Sequence, residues 1–183
     1  PNDPDVVSTS YAVKALLAAD AIDGGYADLA ETAADFVVSD LEYREVEDGA
    51  KINYHIGNFG DNRDAIINTI IRARQDKADL VVFSEFSVCG YPPQDLLDYR
   101  EFVEQCEQTV REIAGQCKDI AAIVGSPRIN PAREGKRLLN AAFFLHEGEV
   151  TYIQDKSLLP TYDIFDEYRY FEPNDRFDVV HFK

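Results

Sequence analysis

Two charged side chains in this sequence stand where chemistry is done in α/β proteins. Glu85 follows the apolar run Leu80-Val81-Val82-Phe83, which has the length and composition of a strand buried on both faces. Ligands of α/β sheets gather beyond the carboxyl ends of such strands. Partial desolvation there raises a carboxyl pKa and suits the group to take a proton near neutral pH. Position alone leaves the role open, since an acid at a strand end also serves as a loop cap or half of an ion pair. Lys156 follows the strand-like stretch Val150–Gln154 and precedes Leu159-Pro160. A lysine at such an end can stabilise the oxyanion of a tetrahedral intermediate, or simply balance Asp155.

The elements that must hold these groups can be read from periodicity. Asp61 or Asn62 caps a helix whose apolar stripe is Ile66, Ile67, Ile70 and Ile71. Gly90-Tyr91-Pro92-Pro93 is a turn that no helix continues through. A second helix is expected from about Glu101 to Cys117, with Phe102, Val103, Cys106, Val110, Ile113 and Cys117 on one face. Ile120–Val124 reads as a buried strand closed by Gly125-Ser126-Pro127, and Arg128–Arg137 as a polar loop. Leu139–Leu145 and Val150–Ile153 form a hairpin around Glu147-Gly148, and Val179-Val180 marks a last strand. The order β–α–β–α–β–β defines an α/β protein with helices covering a sheet.

Charge divides the chain. Its formal net charge is −16, and about −10 of that falls in residues 1–50, which hold 12 acidic and 2 basic side chains. Residues 1–50 read as two helices broken at Asp23-Gly24-Gly25, a helical hairpin with a solvated acidic face. Residues 51–183 carry the alternating pattern. The acidic balance argues against nucleic acid and against an anionic membrane surface as partners. No uncharged apolar run approaches the roughly 18 residues of a membrane span. Three cysteines, Cys89, Cys106 and Cys117, without C-x-x-C spacing argue against a disulfide framework or a zinc site, so no metal is expected. A reducing cytoplasm is the matching compartment. The sequence opens on Pro1 and holds no Met, as expected of a processed or partial chain.

The segments around the two charged residues sharpen the reading. Val82-Phe83-Ser84-Glu85-Phe86-Ser87-Val88-Cys89-Gly90-Tyr91-Pro92-Pro93-Gln94-Asp95-Leu96-Leu97 resembles the segment around the catalytic glutamate of the nitrilase, or carbon-nitrogen hydrolase, superfamily. Its Gly-Tyr-Pro-Pro-x-Asp-Leu-Leu continuation is similar to the glutaminase domains of glutamine-dependent NAD synthetases. Lys156-Ser157-Leu158-Leu159-Pro160-Thr161-Tyr162-Asp163-Ile164-Phe165-Asp166-Glu167-Tyr168-Arg169-Tyr170-Phe171 resembles the family's lysine segment. Gly125-Ser126-Pro127 and Leu139-Asn140-Ala141-Ala142 match the strand and loop between them.

The resemblance implies a partial α-β-β-α sandwich over residues 51–183, preceded by the short helical segment 1–50, which resembles nothing in the family. It implies Glu85 as general base, Lys156 as oxyanion stabiliser, Tyr162 as a contact to glutamine, and Glu167 as a supporting acid. The substrate would be L-glutamine, whose side-chain amide a cysteine thiolate attacks, releasing ammonia. No cofactor serves that step; ATP and Mg would belong to a separate synthetase domain that uses the ammonia.

The family's cysteine lies in a Cys-Glu-Asp-x-Trp-like context, and this sequence has no Trp. Cys89 stands at a position the family fills with a small or apolar residue and is expected in the core; Cys106 and Cys117 are expected on the apolar face of a helix. His55, His146 and His181 pair with no cysteine in a recognisable arrangement. The chain on its own is therefore expected to be inactive, with self-association or association with the missing synthetase domain covering its sheet. Two alternatives stand beside this reading: another nitrilase-superfamily amidase, and a non-catalytic chimera or scaffold.

Overall fold

The structure, a computed structural model, describes residues 54–132, 134–162 and 165–182. The acidic hairpin expected over residues 1–50 lies outside the described residues.

Helix α1 spans Phe59–Gln75. Its cap is Asn58, whose side chain accepts from the Asp61 backbone N–H at 3.2 Å, so the helix starts earlier than Asp61 or Asn62. Asn62 has another task. It is buried, donates to the carbonyls of His55 and Val88 at 2.8 and 3.2 Å, and accepts from the His55 N–H. It thereby staples the chain entering α1 to the loop that follows the first strand.

Strand β1, Leu80–Val82, pairs in parallel with β2, Ala121–Ile129. The crossover between them holds a 3₁₀ helix, Gln94–Asp98, and helix α2, Arg100–Ala114; parallel neighbours require such a connection. β1 is not buried on both faces as expected. It is an edge of the described sheet, and Val82 is 52% exposed. α2 buries Val103, Cys106, Val110 and Ile113. Cys117 lies past its end, because the helix stops at Gly115, yet it is buried all the same.

β2 does not stop at Gly125 but runs through Pro127 to Ile129. A proline is tolerated in a strand where its missing N–H would face no ladder partner. That condition is met here. Backbone groups of Ala121, Ile123, Gly125 and Ile129 bond away from β3, to Asp79, Phe83, the Glu85 loop and the Glu107 carboxylate. Pro127 shares their parity.

β2 pairs antiparallel with β3, Leu138–His146, and β3 with β4, Glu149–Asp155, giving the order β1-β2-β3-β4. The expected hairpin is present. Its turn residues Glu147 and Gly148 have φ of 54° and 85°, the doubly positive pattern that matches strand twist in a two-residue loop. The register shifts between Phe144, opposite Tyr152, and Leu145, opposite Val150, which leaves Thr151 as the extra residue of a bulge.

α1 and α2 cover one face of the sheet. Ile66 and Ile70 of α1 and Val110 and Ile113 of α2 pack on Ala122, Val124, Ala141, Phe143 and Leu145. A second cluster, Phe86, Cys89, Leu97, Val103, Cys106, Leu138 and Phe171, lies beneath the loop after β1. The opposite sheet face carries Val82, Ile123, Phe144 and Tyr152 in register.

After β4 the chain forms a four-residue helix α3, Glu167–Tyr170, which the sequence pattern does not announce. Val179-Val180 is not a strand. The segment runs beside β4, held by Gln154 Nε2 donating to the Arg176 carbonyl and by Phe182 against Phe144 and His146. Side chains, not a backbone ladder, make this contact.

Candidate active site

The sheet brings four side chains to one end. Glu85 lies in the turn Glu85–Cys89 that follows β1. Phe83 N donates to the Ile123 carbonyl, Val88 N to the Gly125 carbonyl, and Gly125 N to Ser87 Oγ, so β2 holds both sides of that loop. The approach is close: a Cβ on Gly125 would stand 2.7 Å from Glu85 Cα and from Phe86 N. Only glycine fits there. Below the loop Phe86 is 1% exposed and stacks between Tyr91 and Phe171, a burial that stabilises the loop by about 2–3 kcal/mol.

Lys156 follows β4. Its backbone N–H donates to the Asn140 carbonyl at 2.7 Å, and Asn140 pairs with Pro127. Asp155, just before it, is clamped by Arg128 through two 2.7 Å hydrogen bonds. A bidentate pair fixes direction as well as position, and this one fixes the end of β4 against β2.

From these supports the charged groups converge. Lys156 Nζ donates to Glu85 Oε1 at 2.8 Å and lies 2.9 Å from Glu167 Oε2. Asn140 Nδ2 also donates to Glu85 Oε1 and reaches Glu167 Oε2 at 3.4 Å. The Glu85 side chain is 39% exposed and that of Glu167 only 7%. One carboxylate therefore faces the solvent side of the cluster, and the other forms its floor.

Burial pushes the Glu167 carboxyl above its ordinary pKa, and the charge of Glu85 adds to this; Lys156 and Asn140 oppose both without cancelling them. Burial works to lower the Lys156 pKa, but the charges and hydrogen bonds of Glu85 and Glu167 outweigh it and hold the ammonium above its ordinary value. Lys156 is thus a fixed cation at neutral pH, suited to electrostatic stabilisation rather than proton transfer.

The structure brings Glu85, Lys156 and Glu167 together. Tyr162 makes none of these ion pairs. Its ring is 68% exposed and stands edge-on to Phe165 at 5.5 Å, while Phe165 contacts Tyr91 at 6.3 Å. Tyr91 borders the cluster. Its hydroxyl is pushed up to about 12 by burial and by the charges of Glu167 and Glu85. An aromatic row, Phe86, Tyr91, Phe165 and Tyr162, thus leads outward from the charged groups. Asn140 and Tyr91 are the members that sequence reading left without a role. Each stood inside a quoted motif, but nothing in its spacing said that its side chain would reach the two glutamates.

All three cysteines are free and buried. Cys89 shares a core cluster with Cys106, and the hydrogen bond between them, with burial, holds its thiol well above the ordinary range. Burial pushes Cys117 up to about 11. Such thiols are poor nucleophiles. Among the described residues no group of three or more His, Cys, Asp and Glu side chains is placed to hold a metal ion, and no helix is long and apolar enough to cross a membrane.

Fold and cluster together define a class. Residues 50–183 match the carbon-nitrogen hydrolase family, and the chain belongs to it. Within that family the chain is homologous to the nitrilase-like part of glutamine-dependent NAD(+) synthetases. It is 40% identical over 126 residues to the synthetase of Synechocystis sp., covering 67% of this chain and 23% of that protein. With the Xanthomonas campestris synthetase it shares 40% over 124 residues, covering 67% and 22%. The chain therefore spans under a quarter of the length of these curated relatives. Among solved structures, the glutamine-dependent NAD+ synthetase of Acinetobacter baumannii, in complex with ADP, superposes with a TM-score of 0.63 at 33% identity, over 72% of this chain and 24% of that one. An amidase of the nitrilase superfamily from Nesterenkonia AN1 superposes with 0.55 at 24% identity, over 68% and 46%, which shows the shared fold.

Proposed function

We propose that the cluster is the acid–base and oxyanion half of a site that hydrolyses the side-chain amide of L-glutamine to supply ammonia for NAD synthesis. The observation that carries this is the convergence of Glu85 and Lys156 at 2.8 Å on a floor formed by Glu167. In this reading a cysteine thiolate attacks the amide carbon. Glu85 takes the thiol proton and later delivers a proton to the departing ammonia. Lys156 Nζ neutralises the oxyanion formed at the carbonyl oxygen. Water then cleaves the thioester, giving glutamate and returning the thiol. The nucleophile is none of Cys89, Cys106 and Cys117, which are all fully buried in the core. Tyr162 and the aromatic row would line the approach of glutamine.

No cofactor takes part in these steps; ATP and Mg belong to the amidation of the dinucleotide in the synthetase portion, which the ADP complex of the Acinetobacter relative fits. The three free thiols suit a cytoplasmic setting. We also infer that the sheet face bearing Val82 associates, either with a second copy or with the synthetase portion.

The test is titration of L-glutamine into this chain, followed by NMR at Lys156 and Glu85. L-Glutamine is expected to perturb both, with acetamide weaker, and Lys156→Met is expected to weaken binding about tenfold. Ammonia release is expected to stay at background. Glutamine that leaves both signals unmoved, or turnover that survives replacement of Glu85, sinks the assignment.

A further inference from the structure

Asn140 is a member of the cluster to which the sequence reading gives no role. It is 3% exposed on β3 and touches every charged member of the cluster. Its Nδ2 donates to Glu85 Oε1 and reaches Glu167 Oε2, and its backbone carbonyl accepts the Lys156 N–H. The amide must present its nitrogen here, because an amide oxygen facing two carboxylates would set acceptor against acceptor.

The distribution of donors over Glu85 is lopsided. Lys156 Nζ and Asn140 Nδ2 both end on Oε1. Among the described residues, Oε2 accepts no hydrogen bond. The two oxygens of one carboxylate are thereby made unequal. Oε1 is anchored by a cation and an amide, and Oε2 is left without a donor among the described residues. We propose that Asn140 is a positioning residue that, with Lys156, occupies Oε1 of Glu85 so that Oε2 is the oxygen that accepts and returns the proton.

The residue type supports this. A carboxylate at 140 would bring a third negative charge against Glu85 and Glu167, and Lys156 alone would have to offset all three. A leucine would keep the volume and leave Oε1 with a single donor. An amide adds a directed donor without adding charge. The other titratable group bordering the cluster is Tyr91, which stays a neutral phenol at physiological pH because burial and the two glutamates hold it up.

The inference rests on Glu85 as the base, and its test needs no turnover. The 183-residue chain is labelled with ¹³C at the glutamate carboxyl carbons, and the cluster signals are assigned with Glu85→Gln and Glu167→Gln. Asn140→Leu is expected to move the midpoints of the cluster carboxyl titrations upward by about one pH unit, the loss of one charge-assisted hydrogen bond. Asn140→Asp, which keeps the shape, is expected to move them further. A residue that only packs would lower the melting temperature and leave the titrations alone. If Asn140→Leu fails to fold, Asn140→Ala, which removes the amide donor without adding bulk or charge, decides. Midpoints within a few tenths of a unit of wild type in a folded variant overturn the proposal. Because the titration is read without glutamine, a wrong substrate assignment and an idle Asn140 give different results.

Discussion

Glu167 shows how burial beside a like charge ties stability to pH. Its carboxyl is nearly buried beside Glu85, and burial together with that neighbour raises its pKa. The folded state therefore holds the Glu167 proton more tightly than the unfolded chain does. By linkage, this group stabilises the fold below the ordinary carboxyl pKa, and that contribution fades as pH rises through the raised value. Glu167→Gln removes the titration. Relative to wild type, the variant is expected to gain stability as pH goes from 4 to 7, read as the difference in urea midpoint at the two pH values. A difference that stays flat or moves the other way would show that Lys156 and Asn140 fully compensate the ionised carboxylate. At the same scale, Glu85 and Lys156 were legible because long motifs surround them. Asn140 was not, since an asparagine on a strand announces nothing until register decides what stands opposite.

Elements, rather than residues, place the loop that carries Glu85. β2 grips it through Gly125, where an added methyl would meet backbone atoms of Glu85 and Phe86 at 2.7 Å. Gly125→Ala must push the loop away from β2, at a cost of about 1–3 kcal/mol. The same change is expected to abolish glutamine binding, measured by the titration described for Lys156→Met. Retained binding would mean that the loop tolerates displacement. Much of this layer could be read in the sequence. The Ile66/Ile70 stripe, the helix through Val103 and Val110, and the hairpin at Glu147-Gly148 follow from periodicity and turn chemistry. The discrepancies have physical causes. Asn58 outcompetes Asp61 as cap because it lies at the right offset to reach the Asp61 N–H. β2 outlasts Pro127 because that proline faces no ladder partner. Val179-Val180 has strand-like residues, but the segment meets side chains of β3 and β4, Phe144, His146 and Gln154, rather than a backbone ladder. α3 is a single turn, too short to show a period.

At the scale of the molecule, the helices cover one sheet face and leave the other carrying Val82, Ile123, Phe144 and Tyr152. Val82 is 52% exposed, and Phe177 and Val179 are 52% and 68% exposed. Each outer strand, β1 and β4, has one ladder partner within the described sheet. Open edges and exposed apolar groups favour association. Sedimentation velocity over a concentration series is expected to show reversible self-association, reduced by Val82→Lys. A monomer at all concentrations with a high unfolding midpoint would contradict this.

The bulge at Thr151 gives the hairpin a further meaning. Side chains alternate along a strand, so a slip of one residue sends every later one to the opposite face. Thr151 is the single unpaired residue between the turn and Lys156. Counted from the turn, it decides that residue 156, rather than 155 or 157, arrives beside Asn140. The lysine's address is thus written in the spelling of a distant stretch of strand. The bulge is the one place where β4 could lose a codon and keep the cation over Glu85; an unbulged ladder of the present length would bring residue 155 there instead.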